Sequence, residues 1–571
     1  MEQQEKFRPD REESVLKWYK AAILISCAFV MLYFPLQIGD RELYWRESDY
    51  AAVANEINFM MPITTAHGKI ISDTYPLFPW LAAYCNQVLG MDTVIALRLI
   101  SILSLAGLAV IVWETGRRAA GIQAATVAAA VMISSNIVIE KTLDGYPNMT
   151  ALLFLSAAWF TWFTYGAVRG SWNIAWAVSS FFCGLAFYTI GWSSIIYFFF
   201  PLIFMRRPLT VWQKLRKPGF LAGLGIILFF VLIWGIPRWR TGSDIPFAGY
   251  PFYSENLSEY IAHIFLFPVD TLMRLLPWAI IIWPPFCPAY FPLDKNPIFS
   301  RYLRTIVISI FALICLSPYT KTRDILILCP PLAILIGINY QLFARRHRFQ
   351  YAKFLKFLSI APILAGAGII AFYLVPVSWW EDIINPNRGI DFRENSKYII
   401  MGTVHGSLLI LTGIFLMVKA KYGIRLWAHI LLLTTCGMLV FWSIGHPYKS
   451  QENSKSSLGI YLRNALGKSY SPSMTVYKDS VIDGLYGECY YLGCNIREMR
   501  SYSELPPEKD EVFLLSTDVP IFTERLWTNL LPRHMQHKDK KIYLWKGEKV
   551  DKAKSSKNKE NQDAETIPLL I

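Results

Sequence analysis

The chain has 571 residues, of which 54% are hydrophobic and 15% aromatic, and a formal net charge of +14. A soluble chain of this length would form three or four domains at roughly 150 residues each. Apolar runs of about 18 residues or more, long enough to cross a bilayer, instead recur along most of the sequence, and the mean hydropathy is +0.33. The positive charge does not point to nucleic acid, because Lys and Arg cluster in short loops between apolar runs, as orientation signals do.

In chain order, residues 21–38 read as an uncleaved first span: Leu24-Ile25-Ser26-Cys27 resembles a lipobox, but the apolar stretch before Cys27 is too short for one. A hydropathy window places about thirteen spans, near 21–38, 91–113, 120–139, 149–168, 173–190, 191–205, 218–237, 271–291, 302–317, 324–344, 354–377, 397–418 and 425–445. The loops between them alternate. One set carries Arg117 and Arg118, Arg169, Arg206 to Lys217, Lys295 to Arg304, Arg345 to Lys356, and Lys419 to Arg425, and is cytoplasmic by the positive-inside rule. The N-terminus is then inside and the C-terminus outside, as in a multi-pass inner-membrane protein.

The opposite loops hold the unusual residues. Residues 39–90 are far longer than a median loop of about 4–6 residues, and the spacing of Val53, Ile57 and Met60 predicts a helix over 50–61 lying in the membrane interface. Residues 238–270 form a second external loop rich in Pro, Tyr and Phe. Residues 446–550 turn polar, with strand-like runs at 473–477, 511–515 and 541–545, and predict a small external α/β domain. The expected organisation is a transmembrane catalytic domain over 1–445, this periplasmic domain over 446–550, and a disordered Lys-, Ser- and Asn-rich tail over 551–571. Of the 9 Cys, six sit in or at the ends of apolar runs as packing residues and none forms a CxxC pair. Cys489 and Cys494 lie in the external domain, where a disulfide and two thiols are equally compatible with the sequence.

The middles of the spans are nearly devoid of acids, whereas the external loops hold Asp40, Glu42, Glu47, Asp49, Asp73, Glu140 and Asp144. The bland reading of any one is a solvated loop acid. Gathered at one membrane face they suit chemistry on a lipid head group better than a proton-coupled transporter, whose ionisable groups belong near the midplane.

The stretch WRESDYAAVANE at 45–56, then Pro62, His67-Gly68-Lys69, DTYPLFPWL at 73–81 and Leu97-Arg98-Leu99 resembles the first external loop of GT-C glycosyltransferases. The group meant contains lipid A 4-amino-4-deoxy-L-arabinose transferase and the bacterial relatives of dolichyl-phosphate-mannose protein mannosyltransferases. KTLD at 141–144, GLAFYTIG at 184–191 and SPYTKTRDILILCPP at 317–331 are similar to later motifs of that family, so the likeness spans residues 20–545. It departs at Arg46, where the family often has Asp, at Thr74-Tyr75 in place of a Lys-Pro, at Ile190 in place of a Lys, at Ile327 in place of a Tyr, and at Arg323 in place of a Lys.

The resemblance implies a GT-C fold of about thirteen helices with an external C-terminal domain. It implies transfer of a sugar from a polyprenyl (undecaprenyl) phosphate donor to lipid A, another envelope glycan, or a protein. A lipid-linked-sugar flippase is the rival of another class, and neither internal repeats nor midplane charges favour it. Glu47, with Asp73 and Asp144, is the expected catalytic set, since a hydroxyl nucleophile needs a carboxylate to take its proton. Asp49, Tyr50, Tyr75, Arg98, Lys321 and Arg323 are the expected substrate contacts. Lys321 and Arg323 face the phosphate, which gains charge as it departs. Arg238 and Arg240 read either as further phosphate ligands or as snorkelling interfacial cations. A divalent ion held by Glu47, Asp73 or Asp144 is compatible with the sequence, which assigns no metal.

Overall fold

The computed structural model describes residues 42–43, 46–57, 63–71, 73–242, 257–317, 320–375, 396–420, 426–448, 455–521, 524–537 and 540–549. The expected span at 21–38, Asp40 and the tail at 551–571 lie outside these residues. The chain divides into two units. A membrane unit takes in residues 72–453, and a sheet unit takes in residues 42–58, 63–71 and the chain from 454 onward.

In the membrane unit, nine helices among the described residues are long and apolar enough to cross a bilayer: Thr93–Ala120, Asn148–Val168, Trp172–Ile190, Pro218–Arg240, Pro297–Leu316, Thr322–Arg346, Phe349–Leu374, Ser396–Val418 and Leu426–Tyr448. They form because an apolar solvent leaves the backbone no partner but itself. Their contacts use small residues: Gly366 and Gly406 face each other, and a Cβ on Gly366 would lie 2.5 Å from the Gly406 carbonyl oxygen. Trp192–Ile203 is a shorter apolar helix that turns off Trp172–Ile190 at Gly191.

Two expected spans are broken. That near 120–139 is Ile122–Ser134 followed, after a 56° bend, by Asn136–Thr142. The one expected at 271–291 is not a continuous helix. Leu257–Arg274 runs up to it, and a 101° turn leads into short 3-10 segments ending at Leu293. Pro277, Pro284, Pro285, Pro288 and Pro292 remove the amide donors that a helix would need there. The two breaks are stitched to each other: the Asn136 amide donates to the Leu276 carbonyl at 2.9 Å, and Trp278 Nε1 donates to Ser134 Oγ at 2.8 Å.

The sheet unit carries a six-stranded sheet in which Asn495–Met499, Thr475–Asp479, Glu511–Ser516, Lys540–Lys549 and Arg525–Asn529 lie side by side in that order, with Met535–His537 beside Lys540–Lys549. Its strands are β3 Thr475–Asp479, β4 Asn495–Met499, β5 Glu511–Ser516, β6 Arg525–Asn529, β7 Met535–His537 and β8 Lys540–Lys549. The expected runs at 473–477, 511–515 and 541–545 fall on β3, β5 and β8. The β4-β3-β5 pairs are parallel and β8 runs antiparallel to β5 and β6. Leu462, Val476, Leu492, Leu515, Ile542 and Leu544 are core residues, with helices Lys455–Leu466 and Tyr486–Leu492 packed beside them. Cys489 and Cys494 are both free thiols. Cys489 is buried inside the helix Tyr486–Leu492, whereas Cys494 follows the left-handed Gly493 that ends it.

Part of the long 39–90 loop belongs to this unit. The helix expected over 50–61 is Glu47–Glu56, and it packs on Tyr486–Leu492. It is followed by a two-stranded hairpin, β1 Thr65–Ala66 and β2 Lys69–Ile70.

Candidate functional site

The sheet unit places Glu47, Asp49 and Tyr50 together in the first turn of Glu47–Glu56, where helix amides and the axial dipole favour anions. Glu47 is 1% exposed and Tyr50 7%. Asp49 accepts Arg46 Nε at 3.0 Å, so the residue that departs from the family pattern supplies a counter-ion to the acid three positions on. Burial pushes the Asp49 carboxyl above its usual range, with Arg46 and Lys455 pulling against it.

The membrane unit holds Asp73, Tyr75, Arg98, Asp144, Lys321 and Arg323, and gathers them in three groups. The first centres on Arg238 at the end of Pro218–Arg240. Snorkelling does not describe it: its side chain is fully buried, donates from Nη2 to the Thr74 carbonyl at 3.1 Å, and lies 4.7 Å over the Trp234 ring. Arg240 is exposed. Where the family's turn carries a Lys at position 74, this chain brings a cation to the same turn from another helix. Tyr75 stacks on Trp234 at 5.2 Å and meets Phe187 edge-on at 5.8 Å. Burial pushes its hydroxyl up to about 12, keeping it protonated. Asp73 is exposed, yet its charge reaches both Tyr75 and Arg238.

Gly191 makes this arrangement possible. Its φ of 75° and ψ of −147° lie in a region nearly confined to glycine, and a Cβ there would collide with the Tyr75 ring. Gly191→Ala is therefore expected to cost about 1–3 kcal/mol from the backbone alone and to expel Tyr75 from its place. A lowered melting temperature together with a changed Trp fluorescence would register both effects.

The second group follows the bend at Ser135. Lys141 Nζ bonds Glu140 at 2.8 Å and lies 3.7 Å from Asp144, and Arg274 joins Glu140 at 2.8 Å to Asp270 at 3.0 Å. Asp144 is 6% exposed. Its segment is tied to the helix of Arg98, because Ser101 Oγ donates to the Tyr146 carbonyl at 3.2 Å. Arg98 itself is 1% exposed, one turn before Ser101. Sequence reasoning missed Arg274 and Asp270. The available signal was an acid and a base four residues apart inside an apolar run, where ionisable groups are costly.

The third group is the cation pair. Lys321 is exposed and Arg323 half-buried, and the Lys321 amide donates to Asp324 Oδ2 at 2.8 Å, starting the 3-10 turn Thr322–Leu328. That turn packs against Asn136–Thr142, which brings the cation loop beside the segment leading to Asp144. Helix Leu257–Arg274 touches the second and third groups. Arg274 reaches Glu140, Tyr260 donates to the Leu316 carbonyl at 3.0 Å, and His263 lies 3.2 Å from Thr320 Oγ1. Among the described residues no three His, Cys, Asp or Glu side chains are grouped to hold a metal ion.

Residues 73–234 match the sequence family described as dolichyl-phosphate-mannose-protein mannosyltransferase. No curated protein matches the chain. Among solved structures it is similar to ArnT from Cupriavidus metallidurans. In the apo state the TM-score is 0.68 at 14% identity, over 92% of this chain and 98% of that one. For ArnT bound to undecaprenyl phosphate the TM-score is 0.66 at 15% identity, over 92% and 97%. An oligosaccharyltransferase from Archaeoglobus fulgidus aligns at a TM-score of 0.41 and 11% identity, over 85% of this chain and 64% of that one.

Proposed function

We propose that this polytopic membrane protein of GT-C fold is a glycosyltransferase that takes a sugar from a polyprenyl-phosphate donor at the outer face of the inner membrane. One observation carries the reading: a fold similar to that of an enzyme bound to undecaprenyl phosphate holds Arg238 buried at the turn that opens the 73–234 family match. A buried, hydrogen-bonded guanidinium suits a phosphate whose charge grows as the glycosidic bond breaks. Glu47 takes the acceptor's proton, and Lys321 and Arg323 face the donor phosphate. Lipid A or another envelope glycan is the acceptor in this reading, with the N-terminus cytoplasmic and the sheet unit periplasmic. The mannosyltransferase match over 73–234 favours a second reading, transfer to a protein hydroxyl.

The experiment compares Arg323→Ala, Lys321→Ala and Arg207→Ala in one nanodisc preparation, by undecaprenyl-phosphate affinity and by transfer from a labelled lipid-linked sugar. A charge-assisted contact contributes about 1.5–3 kcal/mol, so each of the first two changes should weaken donor binding roughly 10- to 150-fold. Arg207, in a loop of the basic set, should have no effect. Equal damage from Arg207→Ala would mean that the donor binds elsewhere.

A further inference from the structure

We infer that Glu498 is a positioning residue: its carboxylate and amide hold the β1–β2 hairpin against the sheet, and the hairpin in turn fixes the helix Glu47–Glu56. The inference rests on the proposed role of Glu47 in transfer.

Glu498 lies on β4, at the edge of the sheet order, where one row of backbone groups is available to another segment. That edge is used. The Glu498 amide donates to the His67 carbonyl at 2.7 Å. Its carboxylate takes Lys69 Nζ on one oxygen at 2.9 Å and Lys478 Nζ on the other at 3.2 Å. Lys478 is fully buried, donates also to the Gly484 carbonyl at 3.2 Å, and lies 5.2 Å over the Tyr486 ring. An ammonium taken out of water is costly unless paired, so the sheet needs Glu498 where it is. One carboxylate thus neutralises a core cation while gripping the hairpin.

The grip passes on to the helix. His67 adopts a left-handed φ of 57°, and its ring packs 4.9 Å from that of Tyr486. Its amide and that of Gly68 donate to the two oxygens of Glu56 at 2.5 and 3.0 Å. Glu56 is the last residue of Glu47–Glu56, so the helix is held at its C-terminal end by the same turn that Glu498 holds. Near its N-terminal end, Lys455 Nζ donates to Ser48 Oγ at 3.3 Å. A ten-residue helix is marginal by itself, so these two ties set where its first turn sits. Burial and the charge of Lys478 hold the His67 imidazole down to about 3, so it stays neutral and does not compete for the carboxylates.

The test uses the full chain in nanodiscs and compares Glu498→Gln, Glu498→Asp, Lys69→Met and Glu47→Gln. Two readouts are taken: donor KM with kcat, and amide hydrogen exchange over residues 64–71. A displacement of about 1 Å at a reacting group can cost on the order of 10²-fold in rate. Glu498→Gln should therefore lower kcat by about that factor, leave donor KM within about 2-fold, and speed exchange in the hairpin. Glu498→Asp should recover part of the rate. Lys69 is half-exposed, so Lys69→Met removes one grip without stranding a buried charge and should move both readouts in the same direction by less. It decides the matter if Glu498→Gln fails to fold. Normal kcat in a variant whose hairpin exchanges faster, or lost kcat with unchanged exchange, overturns the inference. A dead Glu47→Gln beside a fully active Glu498→Gln sinks only the positioning role. Full turnover by Glu47→Gln removes the functional reading as well.

Discussion

Glu47→Gln is expected to abolish sugar transfer while the protein inserts, folds and binds donor as before. The amide keeps the shape of the side chain and removes its ability to take a proton, a contribution typically of about 10²–10⁴-fold. Glu47 sits in the first turn of its helix beside Asp49, but the two acids are not equivalent. Asp49 has one carboxylate oxygen bonded to Arg46 at 3.0 Å, and in the proposed mechanism the acceptor's proton goes to Glu47. Asp49→Asn should therefore cost much less than Glu47→Gln, and the loss in Glu47→Gln should fall on kcat rather than KM. Single-turnover transfer with preloaded donor separates these terms. Full single-turnover rates in Glu47→Gln would remove it from the mechanism.

Arg238→Met is expected to be the most damaging change in the membrane unit. The guanidinium is fully buried, bonded to the Thr74 carbonyl and seated over Trp234. Removing one partner of a buried charged contact costs about 2–5 kcal/mol, which corresponds to roughly 30- to 4,000-fold in donor affinity. Arg238→Lys keeps the charge but loses the planar fork, so it should restore only part of the binding. The decisive comparison is donor affinity against thermal stability. A variant with lower stability but wild-type affinity in its folded fraction would reduce Arg238 to a strut for the Thr74 turn.

The spans were legible because hydropathy is a local property, and most of the expected boundaries fall within a few residues of the helices. The interval 271–291 was less so. Its apolar content satisfied the window, while its prolines, which a hydropathy sum ignores, decided the backbone. The three strand-like runs of the C-terminal part were readable from their alternation. The recruitment of residues 42–58 and 63–71 into the same unit was not, because Lys69 and Glu498 are more than 400 positions apart and neither carries a local mark of the other. The candidate cations show the same divide. Lys321 and Arg323 announce themselves by adjacency, but the burial of Arg238 depends on Thr74, Tyr75 and Gly191, which only the fold brings to it.

The divided origin of the sheet unit also constrains how the chain threads the bilayer. Its first pieces end at residue 71 and its last begins at 454, and pieces of one folded body must lie on one side of the membrane. The chain between them must therefore cross an even number of times. Among the described residues, nine long helices, or eleven spans with both bent pairs, are each odd. Parity is restored when Trp192–Ile203 also crosses, making twelve. A crossing by that helix, which has only 12 residues, would require the bilayer to thin beside it or its flanks to extend it. The short element folded back at Gly191, whose N-terminus adjoins Tyr75, thus has an accounting role: by the spans among the described residues, without its crossing, or the removal of one bent pair from the count, the two parts of the sheet unit would be stranded on opposite faces.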